Sequence, residues 1–241
     1  MNTAISSNKR LVISGDTLEF YDYKQPYFYN WSDLKKSTPT RGESSYKFKR
    51  EDNIKRAMAT IRRIIQCNQE DQKEQPKFLT LTYATDIKEL TVANPDFHQF
   101  GTDIRTTYGD LQYIAVPEFQ PVSQRVHYHS LYFNLPFMND FKSEMSRLWP
   151  HGSTKIEAIR SINAMPRYIG KYMTKSLGDK RTSGRKSFFT SRNLHRPIVV
   201  HNQKRSIEIL EQWSSSLKEI AIKEFQDYRG RDVVYHLFKG A

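Results

Sequence analysis

Hydrophobic and polar positions along the chain switch between two periods, and the switches outline the fold. Lys77 to Tyr83 (KFLTLTY) has the β-branched and aromatic content of a central strand. LQYIAVPEF and RVHYHSLYFNL are two further strand-like runs, separated by QPVSQ, and together predict an antiparallel hairpin. Upstream, Ile54, Met58, Ile61 and Ile65 recur at helical spacing while Lys55, Arg62 and Arg63 take other faces, a basic amphipathic helix expected to lay its apolar stripe on a sheet. Between Tyr83 and the hairpin, Asn94-Pro95 and Gly109-Asp110 read as punctuation with a helix between them. After the hairpin a helix is expected from about Phe137 to Leu148, then a short strand (TKIEAI), then a helix from near Asn163 through Arg167 to Ser176. Leu210, Trp213, Leu217 and Ile220 predict a late helix, and the short alternating runs LVIS and TLEFYDY near the N-terminus predict edge strands. The order is that of an α+β fold, expected as one compact domain. Residues 1–52 are read as an N-terminal extension, and 53–241 as the main domain with a C-terminal helical elaboration.

Composition narrows the function. With 38 Lys and Arg against 26 Asp and Glu, the net charge of +12, together with 14 Tyr and 14 Phe, combines phosphate-attracting charge with flat rings for base stacking. Nucleic acid is therefore the leading partner. The single cysteine, Cys67, leaves neither a disulfide framework nor a thiolate zinc site, so any metal must be held by nitrogen and oxygen. No apolar stretch approaches the ~20 residues that span a bilayer, and the first residues lack a secretory pattern, so the expected place of work is the cytoplasm, away from membranes. No GxxxxGK[ST] phosphate loop occurs, so no ATPase or helicase is expected in the chain.

Chemistry concentrates in two places. His127 and His129 flank Tyr128 inside a strand-like run, and alternation puts both imidazoles on one face, where they can converge on one ion. Glu118, near the end of the preceding strand, is placed to add a carboxylate. Two nitrogens and one oxygen suit a divalent ion acting as a Lewis acid, manganese or magnesium rather than zinc. The second place is Tyr168-Ile169-Gly170-Lys171-Tyr172-Met173-Thr174-Lys175. On a helix, Tyr168 and Tyr172 share a face beside the row of Lys171 and Lys175, and cations there favour a phenolate or the charge of a pentavalent transition state. Aromatic pairs at this spacing also serve as core.

FLTLTY, then Glu118 with HYH beginning nine residues later, then a tyrosine-lysine helix after a further strand, resembles the three ordered motifs of the HUH endonuclease superfamily. The doubled YxxKYxxK pattern resembles the rolling-circle replication initiators (Rep proteins) of small single-stranded DNA phages and plasmids. The resemblance covers about residues 77–176. It implies a central antiparallel sheet of about five strands flanked by helices, an HUH/RRM-like palm. It also implies that His127, His129 and Glu118 bind Mn²⁺ or Mg²⁺, that Tyr168 and Tyr172 are nucleophiles assisted by Lys171 and Lys175, and that nicking leaves a 5′-phosphotyrosine and a 3′-OH primer. The implied partners are single-stranded origin DNA, as a hairpin, and a host helicase and polymerase. Arg125, Lys180, Arg181, Arg185, Lys186 and Arg192 are candidates for phosphate contacts, the last five in a stretch (180–196) whose first half is read as a mobile basic loop. Competing readings are a transposase or relaxase of the same superfamily, a non-catalytic nucleic-acid-binding protein, and a hydrolytic metallonuclease.

Overall fold

A computed structural model describes residues 5–29, 43–69, 74–159, 165–182, 186, 188–227 and 229–240, with the side chains of 43–52, Arg167, Tyr168, Met173, Leu177 and Lys180 excepted. In chain order the elements are β1 (Ile5–Ser14), β2 (Thr17–Tyr29), α1 (Glu43–Cys67), β3 (Lys77–Tyr83), α2 (Leu90–Tyr108), β4 (Tyr113–Phe119), β5 (Val126–Tyr132), α3 (Phe141–Leu148), β6 (Gly152–Ala158), α4 (Met165–Gly178), β7 (Phe189–Thr190), β8 (Ile198–Val200), α5 (Gln203–Trp213), β9 (Leu217–Gln226) and β10 (Asp232–Gly240). The fold is α+β, with two antiparallel five-stranded sheets. No helix among the described residues is long and apolar enough to cross a membrane. The chain divides into two compact units, residues 53–195 and residues 1–52 with 196–241.

The sheet of the 53–195 unit has the order β6-β3-β5-β4-β7. Strand alternation gives it two apolar faces. On one, Leu79, Leu81, Tyr83, Tyr128 and Tyr132 pack with Phe97, Phe100 and Ile104 of α2 and Met145 and Leu148 of α3. On the other, Phe78, Ile114, Val116, Leu131 and Phe133 pack with Ile61, Ile64 and Ile65 of α1 and Met165 and Ile169 of α4. The amphipathic stripe of α1 thus lies on the sheet, with Ile64 joining it and Met58 left at its margin, 37% exposed. Two boundaries differ from expectation. The helix expected after Asn94-Pro95 begins at Leu90 and runs through Pro95, because Leu90, Ala93, Phe97, Phe100 and Ile104 form one buried stripe whose packing outweighs the hydrogen bond a proline cannot make. The helix expected from Phe137 begins at Phe141, where the Asp140 carboxylate accepts from the Ser143 N–H at 3.1 Å as its N-cap.

The other unit is built on the sheet β8-β1-β2-β10-β9. The two N-terminal runs are not edge strands. Gly15, at φ +58°, opens a two-residue turn that joins them into a hairpin, and β2 becomes the central strand when β10 pairs along its free side, Tyr21 opposite Tyr235. Residues 196–241, assigned from sequence to the same part as 53–195, pair with the N-terminal strands through β8 and β10. The late helix is also shorter than expected. It stops at Trp213, and Leu217 and Ile220, which would have extended it, lie in β9 against β10. The run Ile220-Ala221-Ile222 has β-branched content, and nine positions paired with β10, with Ile220 left at a bulge, outweigh a helical spacing that four apolar residues met by coincidence.

Candidate active site

Strand register assembles the site. Glu118 lies opposite His127 across the β4–β5 ladder and Val116 opposite His129. On the other side of β5, Thr80 lies opposite His129 and Thr82 opposite His127. Lys155 of β6 lies opposite Thr80, so Val116, His129, Thr80 and Lys155 make one cross-strand row. All these side chains rise on the face covered by α4. Helix α4 docks there through Met165 and Ile169, which sets Tyr172 one turn further along over the histidine strand.

The Tyr172 ring stacks on His129, with centroids 3.6 Å apart and planes 18° from parallel, and lies 5.4 Å from the ring of Phe78. His129 Nε2 and Glu118 Oε2 are 2.7 Å apart, both side chains buried, and Lys175 Nζ donates to Glu118 Oε1 at 3.0 Å. On the far side of the imidazole, Thr80 Oγ1 is 3.1 Å from His129 Nδ1. The His127 ring centroid is 6.2 Å from that of His129, and its Nε2 is buried with no hydrogen-bond partner among the described residues. Such an orphan is costly unless a ligand uses it.

Burial, together with the neighbouring His129, depresses the pKa of His127, and burial likewise depresses that of His129 against the pull of Glu118, so both rings are neutral. A neutral His129 that meets a carboxylate through Nε2 donates from that nitrogen and accepts at Nδ1 from Thr80. Burial works to raise the Glu118 carboxyl, but the hydrogen bonds from His129 and Lys175 outweigh it and hold it below the usual carboxylate range. Tyr172 is raised, first by burial and then by Glu118 and Glu157, which together exceed the lowering by Lys175 and Lys155. The phenol is thus protonated at neutral pH; the lysines on their own do not produce a phenolate.

The structure therefore gathers Glu118, His127, His129, Tyr172 and Lys175. Lys171 is exposed, its Nζ 5.6 Å from the Tyr172 ring centroid. Tyr168 belongs to α4, and its side chain lies outside the described residues. Among the described residues no group of three or more His, Cys, Asp or Glu side chains is arranged to hold a metal ion as it stands. His129 and Glu118 are turned onto each other.

The candidate phosphate-binding cations separate. Arg125 Nη1 donates to the carbonyls of Tyr83 (2.9 Å) and Ala84 (3.1 Å), tying the end of β3 to the hairpin. Arg181 lies 3.5 Å above the Phe119 ring and pairs with Asp179. Lys186 and Arg192 are exposed; Arg185 and the side chain of Lys180 lie outside the described residues, as do Gly184 and residues 183 and 187 of the stretch read as a mobile loop. Thr80, Lys155 and Glu157 are not among the residues that the sequence pattern singles out. The two threonines of KFLTLTY alternate on the face of Phe78, a signal that would have found Thr80 once β3 was paired with the histidine strand. Lys155 and Glu157, an ion pair at 2.7 Å on edge strand β6, carried no such signal.

No curated protein and no solved structure matches the chain. A family model does: residues 76–177, the stretch that contains Thr80, Glu118, His127, His129, Tyr172 and Lys175, match a family of replication-associated proteins, described as Replication-associated protein ORF2.

Proposed function

We propose that the protein initiates rolling-circle replication by nicking single-stranded origin DNA and linking itself to the new 5′ end through a tyrosine. The observation that carries this reading is the stack of Tyr172 on His129, which sets a phenol beside the buried Glu118 and His129 and the half-buried His127, within the segment similar to replication-associated proteins. The donor set fits a divalent cation such as Mn²⁺ or Mg²⁺: one carboxylate, two neutral imidazoles and a buried Nε2 on His127 that has no hydrogen-bond partner among the described residues. Glu118, His127 and His129 would hold it, with the Thr80 hydroxyl reversing to accept from His129 Nδ1 once Nε2 is given up. A bound divalent cation supplies Lewis acidity toward the scissile phosphate and offsets the Glu118 charge that helps keep Tyr172 protonated.

The residues of the chain do the rest. Tyr172 Oη, or Tyr168 Oη from the same helix, attacks the phosphorus in line, its proton passing to solvent as the bond forms and the departing 3′ oxygen taking a proton from solvent. The 3′ oxygen departs as the primer terminus, and the phosphodiester energy is stored in the phosphotyrosine for later rejoining. Lys175 and Lys171 sit on the nucleophile helix as counter-charges for the transition state. Strand separation is left to a host helicase and extension to a host polymerase. The test is a denaturing gel of labelled origin oligonucleotide with Mn²⁺ or EDTA, comparing the wild type with the Tyr168→Phe/Tyr172→Phe variant. A metal-dependent, SDS-resistant adduct absent from the variant supports the reading. Cleavage without adduct would instead make the protein a hydrolytic nuclease, and binding without cleavage a non-catalytic binding protein.

A further inference from the structure

We infer that Arg181 is a positioning residue that latches the tyrosine helix to the β4–β5 hairpin, and not a phosphate contact; the inference rests on the function proposed above. The latch has two rigid ends. At one, the 3-10 turn Lys180–Thr182 is tied back to the last turn of α4: Thr182 Oγ1, buried, donates toward the carbonyls of Ser176 (2.9 Å) and Asp179 (2.8 Å), and the Thr182 N–H donates to Asp179 at 3.2 Å. Arg181 therefore moves with the helix that carries Tyr172 and Lys175. At the other, the loop of residues 120–124 is closed by backbone bonds between Gln120 and Arg125 and between Gln124 and Gln120, each 2.9 Å, and by the Gln124 side-chain amide on the Pro121 carbonyl at 2.7 Å. Gln124 holds φ +61°, a conformation that non-glycine residues rarely adopt and that persists where surroundings fix it.

Arg181 joins these ends. Its guanidinium carbon lies over the ring of Phe119, the neighbour of Glu118, 3.5 Å from the centroid, and its Nη2 donates to Gln124 Oε1 at 2.8 Å. The same group is bidentate to Asp179, through Nε at 3.0 Å and Nη2 at 2.5 Å, so its charge is compensated before any phosphate arrives. A planar fork can stack and chelate together; a lysine cannot. The distance from Tyr172 to the hairpin that bears Glu118 and His127 is thus set from outside the site.

The experiment compares wild type, Arg181→Ala, Arg181→Lys and, as a milder break of the loop end alone, Gln124→Ala. Three readouts are used: single-turnover cleavage at saturating oligonucleotide, oligonucleotide affinity as a function of salt, and the imidazole NMR spectrum without metal, in which the Tyr172 ring shifts the His129 C–H protons upfield. Displacement by about 1 Å costs on the order of a hundredfold in rate, so Arg181→Ala should lose at least about tenfold, Arg181→Lys should not recover it, and Gln124→Ala should fall between. Affinity and salt slope should stay within about twofold of wild type, and the upfield shift should shrink in all three variants. A weaker affinity with a shallower salt slope, restored by lysine, would overturn the latch in favour of a phosphate contact. A His129 spectrum in Arg181→Ala that keeps the full wild-type upfield shift would overturn it outright. If the wild type does not cleave, the nicking function fails, and the NMR comparison still decides the latch.

Discussion

His129 has a hydrogen-bond partner on each ring nitrogen and an aromatic ring on its face, so its position is fixed from three directions. Thr80 is the least conspicuous of the three. A hydroxyl that orients a ligand imidazole sets its tautomer, and loss of such a partner typically costs about ten- to a hundredfold in metal affinity. Thr80→Val, which keeps the shape, should therefore weaken Mn²⁺ binding by about tenfold in a calorimetric titration while leaving the thermal midpoint within a few degrees. Unchanged affinity would remove Thr80 from the site. At this scale much was legible in advance. Alternation placed His127 and His129 on one face, and hairpin spacing brought Glu118 beside them. Contacts set by register between distant segments were not legible: Thr80 to His129, Lys175 to Glu118 and Arg181 to Phe119 each depend on which strand or helix lies next, and no local pattern encodes that.

Among the elements, β3 leaves no room for a side chain on β6 at Gly152. A Cβ there would stand 2.1 Å from the Thr82 carbonyl oxygen and 2.5 Å from the Ala84 nitrogen, both backbone atoms that cannot move without opening the ladder. Gly152→Ala should lower stability by about 1–3 kcal/mol in urea unfolding, and a neutral result would mean that the ladder is looser there than described. The β9–β10 turn offers a pH test. Asp227 accepts from the backbone N–H groups of Arg229 (2.8 Å) and Arg231 (3.1 Å) and from the Arg231 guanidinium. Burial works to raise its carboxyl, but the Arg231 side chain and those two N–H groups outweigh it and hold the pKa below its ordinary value. A carboxylate depressed on folding contributes stability above its unfolded pKa of about 3.9, and that contribution is lost as pH falls through the folded value. Asp227→Asn should thus be less stable than wild type by about 1–2 kcal/mol at pH 7, with the gap closing below about pH 4. A gap independent of pH would deny the carboxylate its role. The elements themselves were read best where one period dominated, as in KFLTLTY and the hairpin. They were misread where two periods competed, as at Leu217 and Ile220, because an apolar run of mixed spacing satisfies a helix and a half-buried strand alike.

Across the whole molecule, the +12 charge and the pairing of the N-terminal strands with β8 and β10 are features of the entire chain. The charge was readable from composition. The closure of one sheet by both chain ends was not, since pairing partners about 200 residues apart, such as Tyr21 and Tyr235, leave no trace in local pattern. Binding of a single-stranded oligonucleotide in EDTA should weaken steeply with salt, each neutralised phosphate adding about −0.7 to the logarithmic slope; a flat slope would remove nucleic acid as the partner of the basic surface. The most direct test of the nicking chemistry is to locate the covalent bond. After reaction with origin DNA and Mn²⁺, nuclease trimming and proteolysis, mass spectrometry of the peptides should find a nucleotide on Tyr172 or Tyr168, within residues 168–175. A nucleotide on any other residue, or none on a protein that has cut its DNA, would contradict the tyrosine mechanism.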